Sequence, residues 1–344
     1  MIIGLSVILV LVLVLPFVVK QVEHNLEPFL FLMGIAATIV SGVLSTHLAA
    51  EILQNHLMYM ITGAVLIAGL LFKAFQKRIK SIITSVLKVI PLRVFVFLLV
   101  VILGLFSSII TAIIASLVLV EIINNLPLDR RSKISLDVIA CFAIGLGAAL
   151  TPVGEPLSTI VVSKLHGDFW LLMREVGEFI IPGVIVFGVV GAYLVGGHGT
   201  GAVSLTEEQE EETYSGVIIR AIKVFVFVMA LELLGAGFKP LIDAYVIHLD
   251  SRILYWINMI SAILDNATLA AAEISPAMTS MQVEAILVGL LISGGMLIPG
   301  NIPNIISAGK LKITSRDWAR LGVPIGLITL ILYYCVIFLL VHRA

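Results

Sequence analysis

Residues 94–125 read V-F-V-F-L-L-V-V-I-L-G-L-F-S-S-I-I-T-A-I-I-A-S-L-V-L-V-E-I-I-N-N, an apolar stretch fenced by basic residues at both ends. Before it stand Lys73, Lys77, Arg78, Lys80, Lys88 and Arg93, and after it Arg130, Arg131 and Lys133. Basic loops collect on the cytoplasmic side of a membrane, so a stretch that starts and ends beside such loops cannot cross once. Its roughly 32 residues are also too few for two full spans of about 20 with a turn between them. A re-entrant hairpin that enters from the cytoplasm and turns near residues 106–111 satisfies both conditions.

The rest of the chain supports a membrane setting. Of its 344 residues 60% are hydrophobic and 12% charged, against about 25% charged in a soluble domain, too little to cover a water-facing surface. Long continuous apolar runs at 1–19, 57–72, 169–195, 217–234 and 321–341 exclude a barrel of short alternating strands. The first run lacks a basic leader and a small-x-small cleavage site before Lys20, so it reads as a transmembrane helix rather than a signal peptide. Cys141 and Cys335 lie in apolar segments as packing residues, offering neither a disulfide framework nor a metal cluster. The net charge of -1 gives no reason to expect a nucleic-acid partner.

Lys310, Lys312, Arg316 and Arg320 form a third basic group, again expected inside. Working back from the first group places the N-terminus outside. Residues 136–165 then cross outward, 169–195 return, and 196–215 form a cytoplasmic linker that is Gly-rich and then acidic through Glu207, Glu208, Glu210, Glu211 and Glu212. Beyond it, 217–234 run outward, a second hairpin at 253–277 enters from outside, and 283–311 return. The expected fold is therefore an all-α integral membrane protein of two inverted-topology repeats, 1–195 and 216–344. Each holds a re-entrant hairpin and a Pro/Gly-broken helix. Residues 107–115 can be laid on 261–269, setting Thr111 opposite Asp265, and 151–165 on 297–311, setting Gly154 opposite Gly300 and Lys164 opposite Lys310.

The breaks read T-P-V-G-E-P-L-S-T at 151–159 and I-P-G-N-I-P-N at 298–304. Proline frees backbone groups inside the membrane, which persist only where buried in protein or lining a wet cavity. Freed carbonyls suit a cation and helix N-termini suit an anion, while a plain packing kink is the simpler account of any single break. Buried ionisable groups say more, because a charge at the bilayer centre costs several kcal/mol. Asp265 stands with Asn266, Ser261 and Thr268 in the second hairpin, an all-oxygen set of the type hard cations prefer, or else as a cap on a hairpin half-helix. Glu155 stands in the first break with Thr151, Ser158 and Thr159. The two acids could hold a monovalent cation when ionised and protons when not. Ser107 and Thr111 in the first hairpin, and Asn301 and Asn304 in the second break, complete the candidate set. Glu121, Glu273 and Glu284 are expected in buried pairs or hydrogen bonds. Asp137 and Glu232, near expected helix ends, read as solvated, and Lys164 and Lys310 as anchors reaching for the interface. No phosphate-binding G-x-x-x-x-G-K-[ST] loop and no H-E-x-x-H are present.

At these residues the chain resembles a known group. S-A-I-L-D-N-A-T-L-A-A-A at 261–272 is similar to the hairpin motif S-A-x-x-D-N-x-x-x-x-A-A of NhaD-type sodium/proton antiporters, and G-A-A-L-T-P-V-G-E-P-L-S-T at 147–159 resembles their G-G-A-x-S-P-I-G-D-x-x-T-T segment. S-G-G-M-L-I-P-G-N-I-P-N at 293–304 resembles a pattern shared across the ion transporter superfamily, within which the chain looks closest to the small prokaryotic predicted cation transporter family. The resemblance implies ion-binding roles for Asp265 and Asn266, places Glu155 at the first break's acid, Thr151 at its Ser and Ser158 and Thr159 at its hydroxyl pair, and implies a homodimer. The first hairpin departs from the pattern, with I-I-T-A-I-I at 109–114 where an Asp-Asn pair is usual.

The function expected is secondary active transport, a monovalent cation such as sodium exchanged for protons by alternating access. No cofactor beyond a bound sodium is expected, and the partners are the lipid bilayer of a prokaryotic plasma membrane, the small cation and protons. A sodium- or proton-coupled carrier of a small carboxylate or oxyanion is the rival within transport. An intramembrane enzyme or a non-transporting scaffold is the rival outside it.

Overall fold

The computed structural model describes residues 1–19, 21–22, 25–56, 58–59, 62–63, 66–67, 69–70, 73–74, 90–195, 213–262 and 266–341. The basic residues 77, 78, 80 and 88, the linker at 196–212, much of the run at 57–72 and Asp265 lie outside them. The described residues form helices and no strand. In chain order they are α1 (Ile2–Val18), α2 (Leu26–Ser41), α3 (Thr46–Gln54), α4 (Leu92–Ile110), α5 (Ala112–Asn125), α6 (Arg130–Ala148), α7 (Pro156–Lys164), α8 (Leu171–Val195) and α9 (Tyr214–Leu241). After a π-helical turn come α10 (Ser251–Ile257), continued as a 3-10 turn at Asn258–Ala262, then α11 (Asn266–Glu273), α12 (Ser280–Gly294), a 3-10 turn at Ile298–Gly300, α13 (Ile302–Leu311) and α14 (Ser315–Cys335).

Local chemistry sets many of these boundaries. Thr213 and Thr314 accept from the amides of Gly216 and Asp317, at 3.1 and 3.2 Å, and Thr279 opens α12 with a reciprocal box to Gln282. Pro156 and Pro303 stand in the first turns of α7 and α13, where a missing amide donor leaves nothing unsatisfied.

Among the described residues three helices are long and apolar enough to cross a membrane, Leu92–Ile110, Leu171–Val195 and Ser315–Leu340. Their outward faces carry Leu98, Ile102, Phe106 and Ile109 on α4, Val186, Val189 and Tyr193 on α8, and Ile328, Ile331 and Leu332 on α14. Such exposed apolar stripes at helical spacing need lipid rather than water. The chain is an all-α membrane protein.

Directions follow from which residues meet. Gly104 of α4 lies against Ala143 of α6 and Val184 of α8, and Gly191 of α8 lies against Ile139 of α6 and Val96 and Val100 of α4. Thus α4 and α6 run the same way and α8 runs against them. Helix α5 returns along α6: the amide of Ala112, at its start, donates to Gly154 O beyond the end of α6, while Asn124 O, near its end, accepts from Lys133 in the first turn of α6. The chain therefore reverses at Thr111, and the outer ends of α4 and α5 share the end of the fold where α6 begins. Arg130 donates to Leu311 O and Lys312 O, at 2.7 and 2.8 Å, bringing the second and third basic groups to that same end.

The later residues run likewise. Tyr255, Asn258 and Ser261 pass along Gly289 and Gly294 of α12 in the same direction, and Asn258 Nδ2 then meets Glu273 Oε2 of α11 at 2.8 Å, so the chain has doubled back between them. Helices α2 and α9 pack side by side, Gly34 against Ala230 and Leu233, and Gly237 against Ala37. Helix α9 is longer than the apolar run that announced it, a difference that matters for Glu232.

Candidate functional site

Both interrupted helices stop and restart in the same way. Helix α6 ends at Ala148 and α7 restarts at Pro156 after an extended Glu155 (φ -155°, ψ 161°). Helix α12 ends at Gly294 and α13 restarts at Ile302 after an extended Asn301 (φ -151°, ψ 148°). The side chains that close the two breaks also correspond. Ser158 donates to Ala148 O at 3.4 Å, and Asn304 donates to Gly294 O at 2.8 Å. Ser107 donates to Ile144 O at 3.0 Å, and Ser261 to Leu290 O at 3.3 Å. Gly154 faces the Ala148 carbonyl as Gly300 faces that of Gly294, so closely that a Cβ at Gly300 would stand 2.6 Å from both the Gly294 and Ser261 oxygens.

Around the first break Thr151 Oγ1 donates to Ser108 O at 2.5 Å and Thr159 Oγ1 to Pro152 O at 2.8 Å. With the Ala112 to Gly154 bond at 2.8 Å, the tip of the first hairpin is fastened to the break. Thr111 itself is held at φ 77°, ψ 148°, a region nearly closed to residues with a Cβ, and caps α5 through a 3.4 Å bond from the Ile114 amide. Around the second break Asn304 also donates to Leu297 O at 2.9 Å, and Gly300 packs on the backbone of Ser261 and Ala262. Asn301 Nδ2 reaches across to Gly145 of α6, joining the two breaks.

Helix ends converge here. Lys164, at the end of α7, donates to Ala271 O and Ile274 O, at 2.6 and 3.1 Å, at the end of α11. These two packed helices therefore share an outer end, and their N-termini at Pro156 and Asn266 share the inner one. Packed α5 and α13 likewise end together near the start of α6, so the starts at Ala112 and Ile302 also face the centre. The C-terminal ends of α4, α6 and α12 arrive at the same place, so amide donors and carbonyl acceptors meet there together.

Ten of the candidates from the sequence lie at this centre. Ser107, Thr111, Thr151, Glu155, Ser158 and Thr159 surround the first hairpin tip and break; Ser261, Asn266, Asn301 and Asn304 surround the second; all are buried. Asp265 immediately precedes Asn266 in the chain and lies outside the described residues.

Other acids and bases fall differently from their sequence reading. Glu121 and Glu273 are hydrogen-bonded inside the fold, Glu121 by Asn125 at 3.2 Å and Glu273 by Asn258, and Glu284 is buried. Asp137 is not solvated but has no exposed surface, because α6 begins at Arg130 rather than near residue 136 and Asp137 sits two turns inside it. Glu232 is also drawn in, since α9 continues to Leu241; its carboxylate accepts from Ser163 at 2.9 Å and Asn55 at 3.0 Å. Lys164 is no interfacial anchor, because its ammonium is turned inward onto the carbonyls that end α11. Residues 130, 137, 141 and 145 fall on one face of a helix, a spacing that could have drawn attention to Asp137.

The packing defines a class: an integral membrane protein of α-helices, in which two interrupted helices meet and the first is fastened to the chain reversal at Thr111. The chain belongs to the family described as "Protein of unknown function (DUF1646)", which matches residues 2–340. No curated protein matches it.

Proposed function

We propose that the protein is a secondary active transporter that exchanges a monovalent cation, sodium by preference, for protons. In this reading 1–195 and 216–344 are inverted repeats, and residues 94–125 and 253–277 are re-entrant hairpins entering from opposite sides. The matched bonds of Ser107 with Ser261 and of Ser158 with Asn304 support the repeat.

One observation carries the cation assignment. Helices α7 and α11 meet with their inner ends together, so Glu155 stands beside the start of the helix that Asp265 precedes. A second carboxylate close to the buried Glu155 would repel it unless a cation or a proton lay with the pair. Sodium and protons then compete for the same oxygens, which is the requirement for exchange. The hydroxyls of Thr151, Ser158 and Thr159 and the amide oxygens of Asn266 and Asn301 are the neutral oxygens around the pair.

The convergence of four helix N-termini favours a second reading, a carrier of a small carboxylate or oxyanion. Against it, Lys164 and Arg130 are spent on carbonyls at the outer ends of α11 and α13, away from the centre.

Purified protein in liposomes under an imposed pH gradient separates the readings. Sodium or another monovalent cation should drive proton movement, and Asp265→Asn should abolish it. Full sodium-dependent exchange by that variant would sink the cation reading, and uptake of a carboxylate or oxyanion without cation-driven proton movement would put the second reading in its place.

A further inference from the structure

The seam between α6 and α13 contains an acid that the exchange site does not use. Asp137 is completely buried, and neither of its oxygens has a hydrogen-bond partner among the described residues. The Ser307 hydroxyl of α13 lies 3.2 Å from the Cys141 sulfur and faces Asp137 without reaching bonding geometry. Seven residues separate Asp137 from Arg130 at the start of α6, about 10 Å along the axis, and eight separate it from Gly145, about 12 Å. Gly145 touches Asn301, so Asp137 stands midway between the centre of the fold and the end where Arg130 holds Leu311 and Lys312.

The polar groups between Asp137 and the centre form a row on α13: Ser307, Asn304 and Asn301, each buried and spaced by three residues. The side-chain oxygens of Asn304 and Asn301 also lack donors among the described residues. A row of buried acceptors ending in a carboxyl is a chain in want of hydrogens, since each bare acceptor costs about 1–3 kcal/mol.

We propose that Asp137 is a second proton-binding site, a carrier that passes protons along the α6–α13 seam between the centre and the basic end of the fold. For its role this rests on the exchange reading, whereas the bound proton itself rests on the geometry alone. A proton fits better than a metal cation. A hard cation needs several oxygens in its shell, and among the described residues the Ser307 hydroxyl is the side-chain group that faces Asp137. A neutral carboxyl needs neither a counter-charge nor a coordination shell.

The surrounding charges are few. Helix α6 itself carries Arg130, Arg131 and Lys133; the helices packed on it carry Arg93 (α4), Glu121 (α5), Arg174, Glu175 and Glu178 (α8), Glu284 (α12), Lys310 (α13) and Arg316, Asp317 and Arg320 (α14). Among the described residues Arg130, seven positions earlier on the same helix, is the cation that bears on Asp137.

The test is infrared spectroscopy of the full chain in lipid vesicles between pH 5 and 9, with Asp137→Asn compared to the parent protein. A protonated-carboxyl C=O band present at neutral pH should be missing from the variant. Once protonated, the carboxyl can donate to the Ser307 hydroxyl that faces it, so Ser307→Ala, which keeps the acid, should retain the band at a shifted frequency, and this second variant serves if Asp137→Asn fails to fold. In parallel, the pH at half-maximal sodium-driven exchange should move by about one unit in Asp137→Asn, a tenfold change in proton activity. Identical carboxyl bands in parent and a folded Asp137→Asn, or no band shift in Ser307→Ala, would overturn the bound proton. A lost band with an unmoved pH profile would overturn the carrier role. Absence of exchange in the parent protein would refute the exchange reading, and the band would still decide whether Asp137 holds a proton.

Discussion

Replacing Thr111 separates backbone strain from capping at the first hairpin tip. A Cβ-bearing residue at φ 77°, ψ 148° stores about 1–3 kcal/mol. Thr111→Ala keeps the Cβ, and so the strain, but loses the oxygen that caps α5, with an expected loss of about 0.5–2 kcal/mol. Thr111→Gly releases the strain, gives back about 0.5–1 kcal/mol in chain entropy and loses only a few tenths for the cap. The glycine variant should therefore be about as stable as the parent or up to about 2 kcal/mol more so, and should exceed the alanine variant by about 1–3 kcal/mol. Unfolding in detergent followed by circular dichroism, with all three proteins in one buffer, reads the difference. A glycine variant no more stable than the alanine variant would show that the tip is unstrained. Exchange measured on the same samples should fall in the glycine variant despite its stability, because a loosened tip no longer holds Ala112 on Gly154.

The close approaches at the breaks give a second pair of tests. Gly300→Ala should destabilise by about 1–3 kcal/mol or more, since its Cβ would meet two backbone oxygens that cannot turn aside; an unchanged melting temperature would contradict the packing. Arg130→Ala bares the carbonyls of Leu311 and Lys312, one of them partly solvated, and should lower stability by about 1–2 kcal/mol in the same assay. Lys164→Met keeps the aliphatic stem but frees Ala271 O and Ile274 O, and hydrogen exchange at the end of α11 should accelerate while that of α4 does not.

What was legible in the sequence was whatever depends on a short local signal. Pro152, Gly154 and Pro156, with Pro299, Gly300 and Pro303, mark both breaks, and laying Gly154 on Gly300 gives the register at which α7 and α13 restart. Helix ends were less legible, because an apolar run marks where lipid or core is met and not where a helix begins. The polar turn R-R-S-K at 130–133 is already helix, which carried Asp137 from a supposed solvated end into the interior. Partners distant in sequence left no local trace at all. Nothing near Lys164 announces that it will cap α11, and nothing near Arg130 announces Leu311.

The two repeats of the proposed arrangement are not equal in charge, and the inequality has a direction. Equivalent positions carry Thr111 and Asp265 at the hairpins, and Glu155 and Asn301 at the breaks. Packing pairs them crosswise, because α7 lies on α11 and α5 lies on α13. Both acids thus belong to the α7–α11 pair and both neutral residues to the α5–α13 pair. Had α5 packed on α7 and α11 on α13, the charge would have been divided between two helix pairs. In the proposed arrangement a single acidic subsite opposite a neutral one would account for Thr111 standing where a carboxylate is expected. It also makes a demand: moving the charge should matter more than removing it. Glu155→Gln should weaken sodium dependence while leaving some exchange through Asp265. Adding Asn301→Asp to that variant restores the charge on the wrong pair and should not restore the sodium dependence in liposomes. Recovery to the parent level by the double variant would show that the two pairs act as one site.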